Sequence, residues 1–333
     1  MDFTAVSTTL VLLVLLALVF DFMNGFHDAA NSIATVVSTG VLKPWQAVLW
    51  AAFFNVVAIG IFHLGVAATV GKGIIDPSFV DNRLIFGALI GAIAWNLVTW
   101  YYGIPSSSSH ALIGGMIGAA IAKAGTTPLL AAGIIKTASF IFISPLLGMA
   151  LGATIMLIVS WACFRQTPKR VDKWFRRLQL VSSAAYSVGH GGNDAQKTMG
   201  IIWLLLIANG ATTKEHLPSW VVISCFAAIG FGTMFGGWRI VKTMGQRITK
   251  LKPVGGFAAE CAGSIALFLA TYFGIPVSTT HTITGAIIGV GTTRGSNAVR
   301  WGTAGTIVIA WFVTIPASAV ISALAWWLGG LLF

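Results

Sequence analysis

Charged side chains are scarce in this sequence, at 9% of 333 residues, whereas soluble domains carry about 25%. Hydrophobic residues make up 56% of the chain, which excludes a soluble globular domain. Apolar stretches near the length that crosses a bilayer as a helix, about 20 residues, recur at 3–20, 45–70, 84–102, 128–164, 178–188 with 201–208, 220–238, 257–273 and 302–333. We therefore predict an all-α polytopic membrane protein with roughly 10–12 transmembrane segments.

Cysteine is also rare, and Cys163, Cys225 and Cys261 lie in or beside apolar stretches without the spacing of metal ligands. This excludes a disulfide framework, so we interpret the three as small buried apolar residues. Lysine and arginine are absent ahead of the first apolar stretch, and we do not expect a cleaved signal peptide. The sequence also lacks a nucleophile–base set and an HExxH motif, so we expect neither an enzyme nor an organic cofactor.

Basic residues outnumber acidic ones by 20 to 9. In a soluble protein this excess favours nucleic acid as a partner, but here the cations cluster in two hydrophilic stretches, residues 165–177 and 239–252. Such clusters are typical of cytoplasmic segments of membrane proteins, where they can contact anionic lipid headgroups. We therefore expect the lipid bilayer, and not nucleic acid, as a partner.

An internal repeat organises the chain. GIPSSSSHALIGGMIG (103–118) and GIPVSTTHTITGAIIG (274–289) agree at eight of sixteen positions. A shorter pair, NGFHDAANS (24–32) and HGGNDAQKT (190–198), shares fewer residues. The spacing supports the shorter pair, because its aspartate lies 77 and 82 residues ahead of the proline of the longer motif. The repeat predicts two homologous halves, each with a broken helix.

We divide the chain into a first transmembrane repeat (1–164), a basic cytoplasmic linker (165–177) and a second transmembrane repeat (178–333). Asp2, without any nearby cation, favours an external N-terminus, whereas the linker favours the cytoplasm. An odd number of crossings per half follows, and with it an inverted repeat. Halves with interrupted helices in corresponding positions are typical of secondary transporters, although channels and enzymes can also be duplicated.

Four of the nine acidic residues fall inside the apolar regions: Asp21, Asp28, Asp194 and Glu260. Carboxylates at membrane depth are costly and usually functional. Asp28 and Asp194 occupy matched positions, so we predict that they bind or relay cations. Glu260 has no acidic counterpart but is predicted to be functional as well, whereas Asp21 is interpreted as a carboxylate near a helix end that extends to the membrane interface.

Each longer motif places hydroxyl residues directly after a proline. We expect Pro105 and Pro276 in the first turn of a helix, where their missing N–H costs nothing. The following residues then offer unpaired N–H groups, hydroxyls and the positive end of the helix dipole, which together bind anions. Two such ends facing each other would enclose a small tetrahedral oxyanion. The alternative is that the hydroxyls bond their own helix.

The glycines that follow each hydroxyl run have a simpler interpretation, since small residues let membrane helices approach closely. We therefore assign a packing role to Gly114, Gly118, Gly285 and Gly289.

The shorter motifs offer cation ligands. Helical spacing places on one face Asn24, Asp28 and Asn31 in the first half, and His190, Asp194 and Lys197 in the second. Carboxylate and amide oxygens suit hard cations such as Na⁺. A cation bound there would offset the charge of an incoming anion, so the two would bind cooperatively.

Four of the six histidines fall in the motifs: His27, His110, His190 and His281. The backbone groups freed where a helix is broken need partners in lipid. His110 and His281 either tie their broken helices to a neighbouring helix for this reason or take part in function. Both interpretations stay open.

In NGFHDAAN, GGNDAQKT, GIPSSSSH and GIPVSTTH, the chain resembles the signature repeats of the inorganic phosphate transporter (PiT) family over nearly its whole length. The resemblance implies a cation-coupled phosphate symporter with an inverted repeat and two re-entrant hairpins. It implies phosphate binding by Ser107, Ser108, Ser109, Ser278, Thr279 and Thr280. It implies coupling-ion binding by Asn24, Asp28, Asn31, Asn193, Asp194 and Gln196. Na⁺ is a candidate ion for Asp28 and Asp194. The resemblance also matches Glu260 to an acidic position before the second hairpin.

The short linker resembles compact bacterial members, which implies the bacterial plasma (inner) membrane. Proton-handling or structural roles are assigned to His27, His110, His281 and Lys197. Three alternatives stay open: a sulfate/cation symporter, an anion channel, and transport of a metal–phosphate complex. The choice between Na⁺ and protons, and a homodimer, also stay open.

The first motif reads GFHD where the commoner form in the family is GxND, so His27 replaces an amide. An imidazole titrates near neutral pH and an amide does not. Our hypothesis is that His27 favours coupling to protons, and we expect His27→Asn to flatten the pH dependence of uptake. Uptake with the same pH profile before and after the substitution would refute it.

Overall fold

The computed structural model describes residues 7–213 and 215–332, and these contain helices and no β-strand. Asp2, on which the predicted external N-terminus depends, lies outside the described residues. The helices are α1 (Thr8–Ser38), α2 (Pro44–Val57), α3 (Gly65–Gly73), α4 (Asn82–Tyr102), α5 (Ser108–Ala124), α6 (Ala131–Ala162), α7 (Pro168–Ala208), α8 (Ser219–Phe235), α9 (Trp238–Lys242), α10 (Pro253–Tyr272), α11 (Thr279–Thr292) and α12 (Trp301–Gly329). The prediction of an all-α protein is confirmed.

Five helices among the described residues are long and apolar enough to cross a bilayer: α1, α4, α6, α10 and α12. Two bent pairs raise this number to seven if each counts as one span: α2 with α3, bent by 83°, and α8 with the segment containing α9, bent by 62°. This is fewer than the 10–12 expected. Helices α5 and α11, at 17 and 14 residues, are too short. Helix α7 is continuous, but the polar motif at 190–198 divides its apolar run.

Helix α7 begins inside the stretch that the sequence analysis treats as a linker. Residues 168–177 form its first turns, with Pro168 at the start, where proline is favoured. Only residues 163–167 separate α6 from α7. The basic residues of this stretch therefore lie mostly on a helix that continues into the second repeat for 41 residues in total.

The two short helices pack crosswise between the repeats. Helix α5 packs against α12, and α11 packs against α6. A Cβ atom added at Gly118 would lie 2.1 Å from the carbonyl oxygen of Ala319, and one added at Gly289 would lie 2.1 Å from that of Met149. Backbone therefore touches backbone at both contacts, and the packing role predicted for the glycines is confirmed.

The short helices do not begin at the prolines. Helices α5 and α11 start at Ser108 and Thr279, three residues after Pro105 and Pro276. The expectation that the prolines occupy the first helical turn is therefore wrong. The reason is that serine, a strong N-cap, precedes each helix in an extended conformation and accepts a hydrogen bond from its first turn.

Helices α6 and α12 form an apolar exterior. In the most apolar 18 residues of each helix, 22% are buried in α6 and 33% in α12, whereas 67% are buried in α10. Their large exposed side chains include Phe142, Leu146, Phe312 and Leu324. An exposed apolar surface of this extent is stable only against lipid. The protein is thus an integral, multi-pass membrane protein.

The crosswise contacts predict that replacing glycine by alanine lowers stability at a helix contact and has no effect away from it. We expect Gly285→Ala to destabilise the protein by about 1–3 kcal/mol, the usual effect of overpacking, because the new Cβ would lie 2.1 Å from the Pro145 carbonyl oxygen. Gly305→Ala is the matched control, since nothing lies within 4 Å of its Cβ position. Thermal unfolding of the purified variants checks this, and equal melting temperatures would contradict it.

Candidate functional site

The polar residues of the four motifs meet at the centre of the described part of the chain. There the middles of α1 and α7 contact the first turns of α5 and α11. The site is fully buried: the exposed fractions of Asp28, Asp194 and Lys197 are 2%, 0% and 1%. Buried charges are costly unless they are paired, so the partners of these three residues determine what the site can bind.

Asp28 is held by its own repeat. The Ser108 hydroxyl on α5 lies 2.6 Å from Asp28 Oδ2 and 2.6 Å from Asn24 Oδ1, and it donates to one of them at a time. On the other side, His27 Nδ1 lies 2.7 Å from Asp28 Oδ1, and His27 Nε2 lies 3.0 Å from the Thr99 hydroxyl on α4. The imidazole is thus bonded at both nitrogens, as either a structural or a proton-handling role requires.

Asp194 is held by α11 and by a lysine. The Thr279 hydroxyl donates to Asp194 Oδ2 over 3.1 Å, and Lys197 Nζ lies 2.5 Å from Asp194 Oδ1. Lys197 also donates to the carbonyl oxygen of Val277, at 2.7 Å, and to the hydroxyl of Ser109. The ammonium therefore compensates a carboxylate that would otherwise be buried with neutral partners alone.

Two of the contacts between the repeats join the motif helix of one repeat to the short helix of the other. Asn31 Nδ2 on α1 donates to the hydroxyls of Thr280, at 2.9 Å, and Thr279, at 3.2 Å, on α11. Lys197 on α7 donates to Ser109 on α5. The two contacts are equivalent, because Asn31 and Lys197 are 166 residues apart, close to the 171 that separate Ser109 and Thr280. Each repeat's motif helix thus contacts the short helix of the other repeat.

The carboxylates of the two repeats come together. One ligand atom from each of Asp28, His190 and Asp194 lies within 4.8 Å of the others. The two residues predicted to bind Na⁺, Asp28 and Asp194, therefore lie close together. The same group also includes His190, which helical spacing places on the same face as Asp194 but which is absent from the site residues predicted above.

Hydrogen bonds fix the orientation of His190. Asn55 Nδ2 donates to the Thr233 hydroxyl at 2.9 Å, and that hydroxyl donates to the Ile229 carbonyl at 2.8 Å. Asn55 Oδ1 therefore faces His190 Nδ1, 3.1 Å away, and Nδ1 donates a hydrogen bond to it. His190 Nε2 lies 3.3 Å from Asp194 Oδ2 and has no hydrogen-bond partner among the described residues, and it presents a lone pair when the ring holds only the Nδ1 proton. Three acceptors converge, and this set fits a bound cation.

The six predicted phosphate-binding residues divide into two groups. Ser107 Oγ accepts a hydrogen bond from the His110 amide at 3.2 Å, and Ser278 Oγ accepts one from the His281 amide at 3.1 Å. These two hydroxyls cap their helices. The others contact the central carboxylates, amide and ammonium: Ser108, Ser109, Thr279 and Thr280. Around them, the first N–H groups of both helices have no acceptor within the helix.

Gln196 lies apart from this cluster. Its Oε1 accepts hydrogen bonds from the amides of Val66, at 3.0 Å, and Ala67, at 3.3 Å, at the start of α3. Its Nε2 donates to the carbonyl oxygens of His63 and Gly192. Every polar atom of the side chain is thus bonded to backbone, which gives Gln196 a capping position rather than a place beside Asp194.

Asn193 and Glu260 also have partners outside the central cluster. Asn193 Nδ2 donates to the Thr271 hydroxyl at 3.0 Å and joins α7 to the end of α10. Glu260 accepts from the Thr35 hydroxyl at 2.6 Å and from Gln179 Nε2 at 3.0 Å, and it also contacts the Ser182 hydroxyl. This second polar cluster links α10 to α1 and α7.

His110 and His281 face each other across the boundary between the repeats. Their ring centroids are 4.7 Å apart, and His281 stacks on Trp311 at 4.0 Å. Within the described residues, none of their four ring nitrogens has a hydrogen-bond partner. The contact between these two imidazoles is therefore made by ring faces and edges.

Asp21 differs from its interpretation as a residue that extends to the interface. It is fully buried near the middle of α1 and accepts a hydrogen bond from the Thr198 hydroxyl of α7 at 2.8 Å. The apolar run ends at Phe20, which suggests the end of a span. The helix instead continues to Ser38 through the polar motif.

Comparison with known proteins places this geometry in a family. The model of the phosphate transporter family matches residues 24–322. The chain belongs to this family. The resemblance carried by the four motifs is thereby confirmed.

Relatives within the family match over full length. A "Probable low-affinity inorganic phosphate transporter" of Rhizobium meliloti is 61% identical over 98% of both chains, and one of Bacillus subtilis is 46% identical over 100% of both. A solved structure described as "The sodium-dependent phosphate transporter" superposes with a TM-score of 0.90 at 25% identity, covering 98% of this chain and 100% of that one.

The position of Gln196 predicts a stability effect without a binding effect. We expect Gln196→Leu to destabilise the fold by about 1–3 kcal/mol, because two buried amides of α3 lose their acceptor. Phosphate is expected to raise the melting temperature of the variant by as much as that of the wild type. Gln166→Leu, at a residue outside the helices, is the control. A variant that melts normally but no longer responds to phosphate would instead assign Gln196 to the binding site.

Proposed function

We propose that this family member imports inorganic phosphate across the bacterial plasma membrane by symport with Na⁺ or a proton, through alternating access around the central site. One observation carries the proposal: two buried carboxylates from opposite repeats converge beside two helix N-termini that bear hydroxyls. The names of the two bacterial relatives and of the solved neighbour support the same substrate.

The anion would bind at the helix N-termini. The free N–H groups at the start of α5 and α11 and the positive ends of the two helix dipoles attract a small oxyanion. Four hydroxyls surround the same place and can turn from the carboxylates to the substrate: Ser108, Ser109, Thr279 and Thr280. Ser107 and Ser278 would act indirectly, by capping the helices whose N-termini face the ligand.

The carboxylates make a cation necessary. Two like charges about 4 Å apart repel each other by about 4 kcal/mol at an effective dielectric constant of 20. Asp28, Asp194 and Lys197 together carry one net negative charge, so an anion entering alone would be repelled. A cation bound beside Asp28 and Asp194 removes that repulsion. Cation and anion then raise each other's affinity, and this reciprocity is the basis of symport.

The same carboxylates favour phosphate over sulfate. Phosphate keeps at least one proton at neutral pH and can donate a hydrogen bond to Asp28 or Asp194, whereas sulfate only accepts. An acceptor facing an acceptor in a buried site would cost free energy. We therefore propose phosphate as the substrate and expect no competition from sulfate. A homodimer stays a prediction.

Purified protein in liposomes tests the proposal. We expect uptake of labelled phosphate only when an inward Na⁺ or proton gradient is imposed, and the gradient that drives uptake identifies the coupling ion. A large excess of sulfate should leave the rate unchanged. Anion flux driven by voltage without any cation gradient would reject symport in favour of a channel.

The hydroxyls on both helices can be tested together. We expect the double substitution Ser108→Ala and Thr279→Ala to abolish uptake, because each hydroxyl donates to the carboxylate of its own repeat and lies at the helix start. Ser139→Ala is the matched control, since Ser139 is exposed and bonds only its own helix. Size-exclusion profiles establish folding, and near-normal uptake by the folded double variant would refute the site.

A further inference from the structure

We infer that the ammonium of Lys197 is a covalently attached cation that fills the second of two equivalent cation positions, so that the transporter binds one free cation fewer per phosphate. The inference rests on the proposed function and concerns its stoichiometry. It assigns to Lys197 a specific electrostatic role.

The ligands of the Lys197 ammonium are the kind that hold a metal cation. Its Nζ is bonded to a carboxylate oxygen of Asp194 at 2.5 Å, to the carbonyl oxygen of Val277 at 2.7 Å and to the hydroxyl of Ser109. A carboxylate, a carbonyl and a hydroxyl are common oxygen ligands of hard cations. A lysine in an apolar protein usually extends its ammonium to water, yet Lys197 is 1% exposed.

The first repeat has the corresponding position without the charge. Asn31 is the residue equivalent to Lys197, and its Nδ2 donates to Thr280, the equivalent of Ser109. Asn31 Oδ1 is buried and has no hydrogen-bond partner among the described residues. This oxygen lies on the same helical face as Asp28, one turn away. An unpaired amide oxygen beside a carboxylate fits a free cation.

The two repeats therefore compensate the charge of their buried carboxylates in different ways. Asp28 and Asp194 are both buried, and each needs a positive charge nearby. Lys197 supplies that charge to Asp194 from within the chain. Asp28 is bonded to Ser108 and His27, neither of which carries a permanent positive charge as Lys197 does. The charge that compensates Asp28 would come from solution, together with the phosphate.

A covalently attached cation has a consequence that a bound ion lacks. It cannot dissociate into either compartment, so it stabilises the site without moving charge across the membrane with each turnover. Each phosphate would then be accompanied by one cation fewer than in a site with an asparagine in both positions.

The experiment replaces the ammonium by the side chain of the other repeat. Wild type, Lys197→Asn, Lys197→Met and the control Lys123→Asn, which removes an ion pair with Asp81 outside the central site, are reconstituted in liposomes. The ratio of Na⁺ to phosphate is obtained from the gradients at which net flux stops. We expect Lys197→Asn to raise the number of Na⁺ ions per phosphate by one, or to create Na⁺ dependence if the wild type uses protons. Lys197→Met, with neither charge nor ligand oxygen, should lose transport, and Lys123→Asn should match the wild type.

A second readout does not depend on transport. Melting temperatures in NaCl and in choline chloride should differ more for Lys197→Asn than for the wild type, because a ligand that binds only the folded state stabilises it. If Lys197→Asn is not recovered as a folded protein, Asn31→Lys tests the same idea in the first repeat. It should lower the number of Na⁺ ions per phosphate by one.

An unchanged ion ratio in folded Lys197→Asn, with no added stabilisation by Na⁺, would overturn the inference and leave Lys197 as a structural ion pair. An unchanged ratio in Asn31→Lys would overturn it in the same way. Failure of the wild type to transport phosphate would instead reject the proposed function. The melting temperatures would still decide whether Lys197 replaces a cation.

Discussion

The structure depends on holding two carboxylates close together, away from water. Asp28 and Asp194 come from opposite repeats, and their ligand atoms lie within 4.8 Å of each other and of His190. Such a pair persists only if hydrogen-bond donors or positive charges compensate the two carboxylates. The surroundings meet this requirement: Ser108 and Thr279 donate from the two short helices, and Lys197 donates from α7. The same requirement creates an affinity for cations, and through the cation an affinity for an anion.

The short helices position these donors because they are too short to span the bilayer. At 17 and 14 residues, α5 and α11 end their hydrogen-bonding pattern inside the protein, where unpaired backbone groups are expensive. Serine caps satisfy one N–H in each helix, and a ligand can satisfy others. Glycine faces then let each helix lie directly on the last helix of the other repeat. Anion affinity and helix packing therefore both result from the shortness of α5 and α11 and from their serine caps and glycine faces.

Much of this was predictable from the sequence, since the strongest signals were duplicated. The all-helical fold follows from the apolar stretches, and the repeat, the packing glycines and the matched roles of Asp28 and Asp194 follow from motifs that occur twice. The start of α5 was not predictable in the same way, because proline and serine both favour a helix start and only the structure shows that the serine wins. The positions of Asp21, Gln196 and His190 are set by hydrogen bonds to residues distant in sequence, namely Thr198, Val66 and Asn55. Helical periodicity carries no information about these partners.

The crosswise contact of α5 with α12 and of α11 with α6 also limits how the chain can be divided. Cut between α6 and α7, either fragment would expose a bare glycine face and a carboxylate without its opposite. A fragment alone would therefore have to associate with a second copy of itself to bury the same surfaces. Two fragments expressed together could instead recombine into the native arrangement. The boundary between the repeats is thus a boundary in sequence only, and the folding unit is the pair.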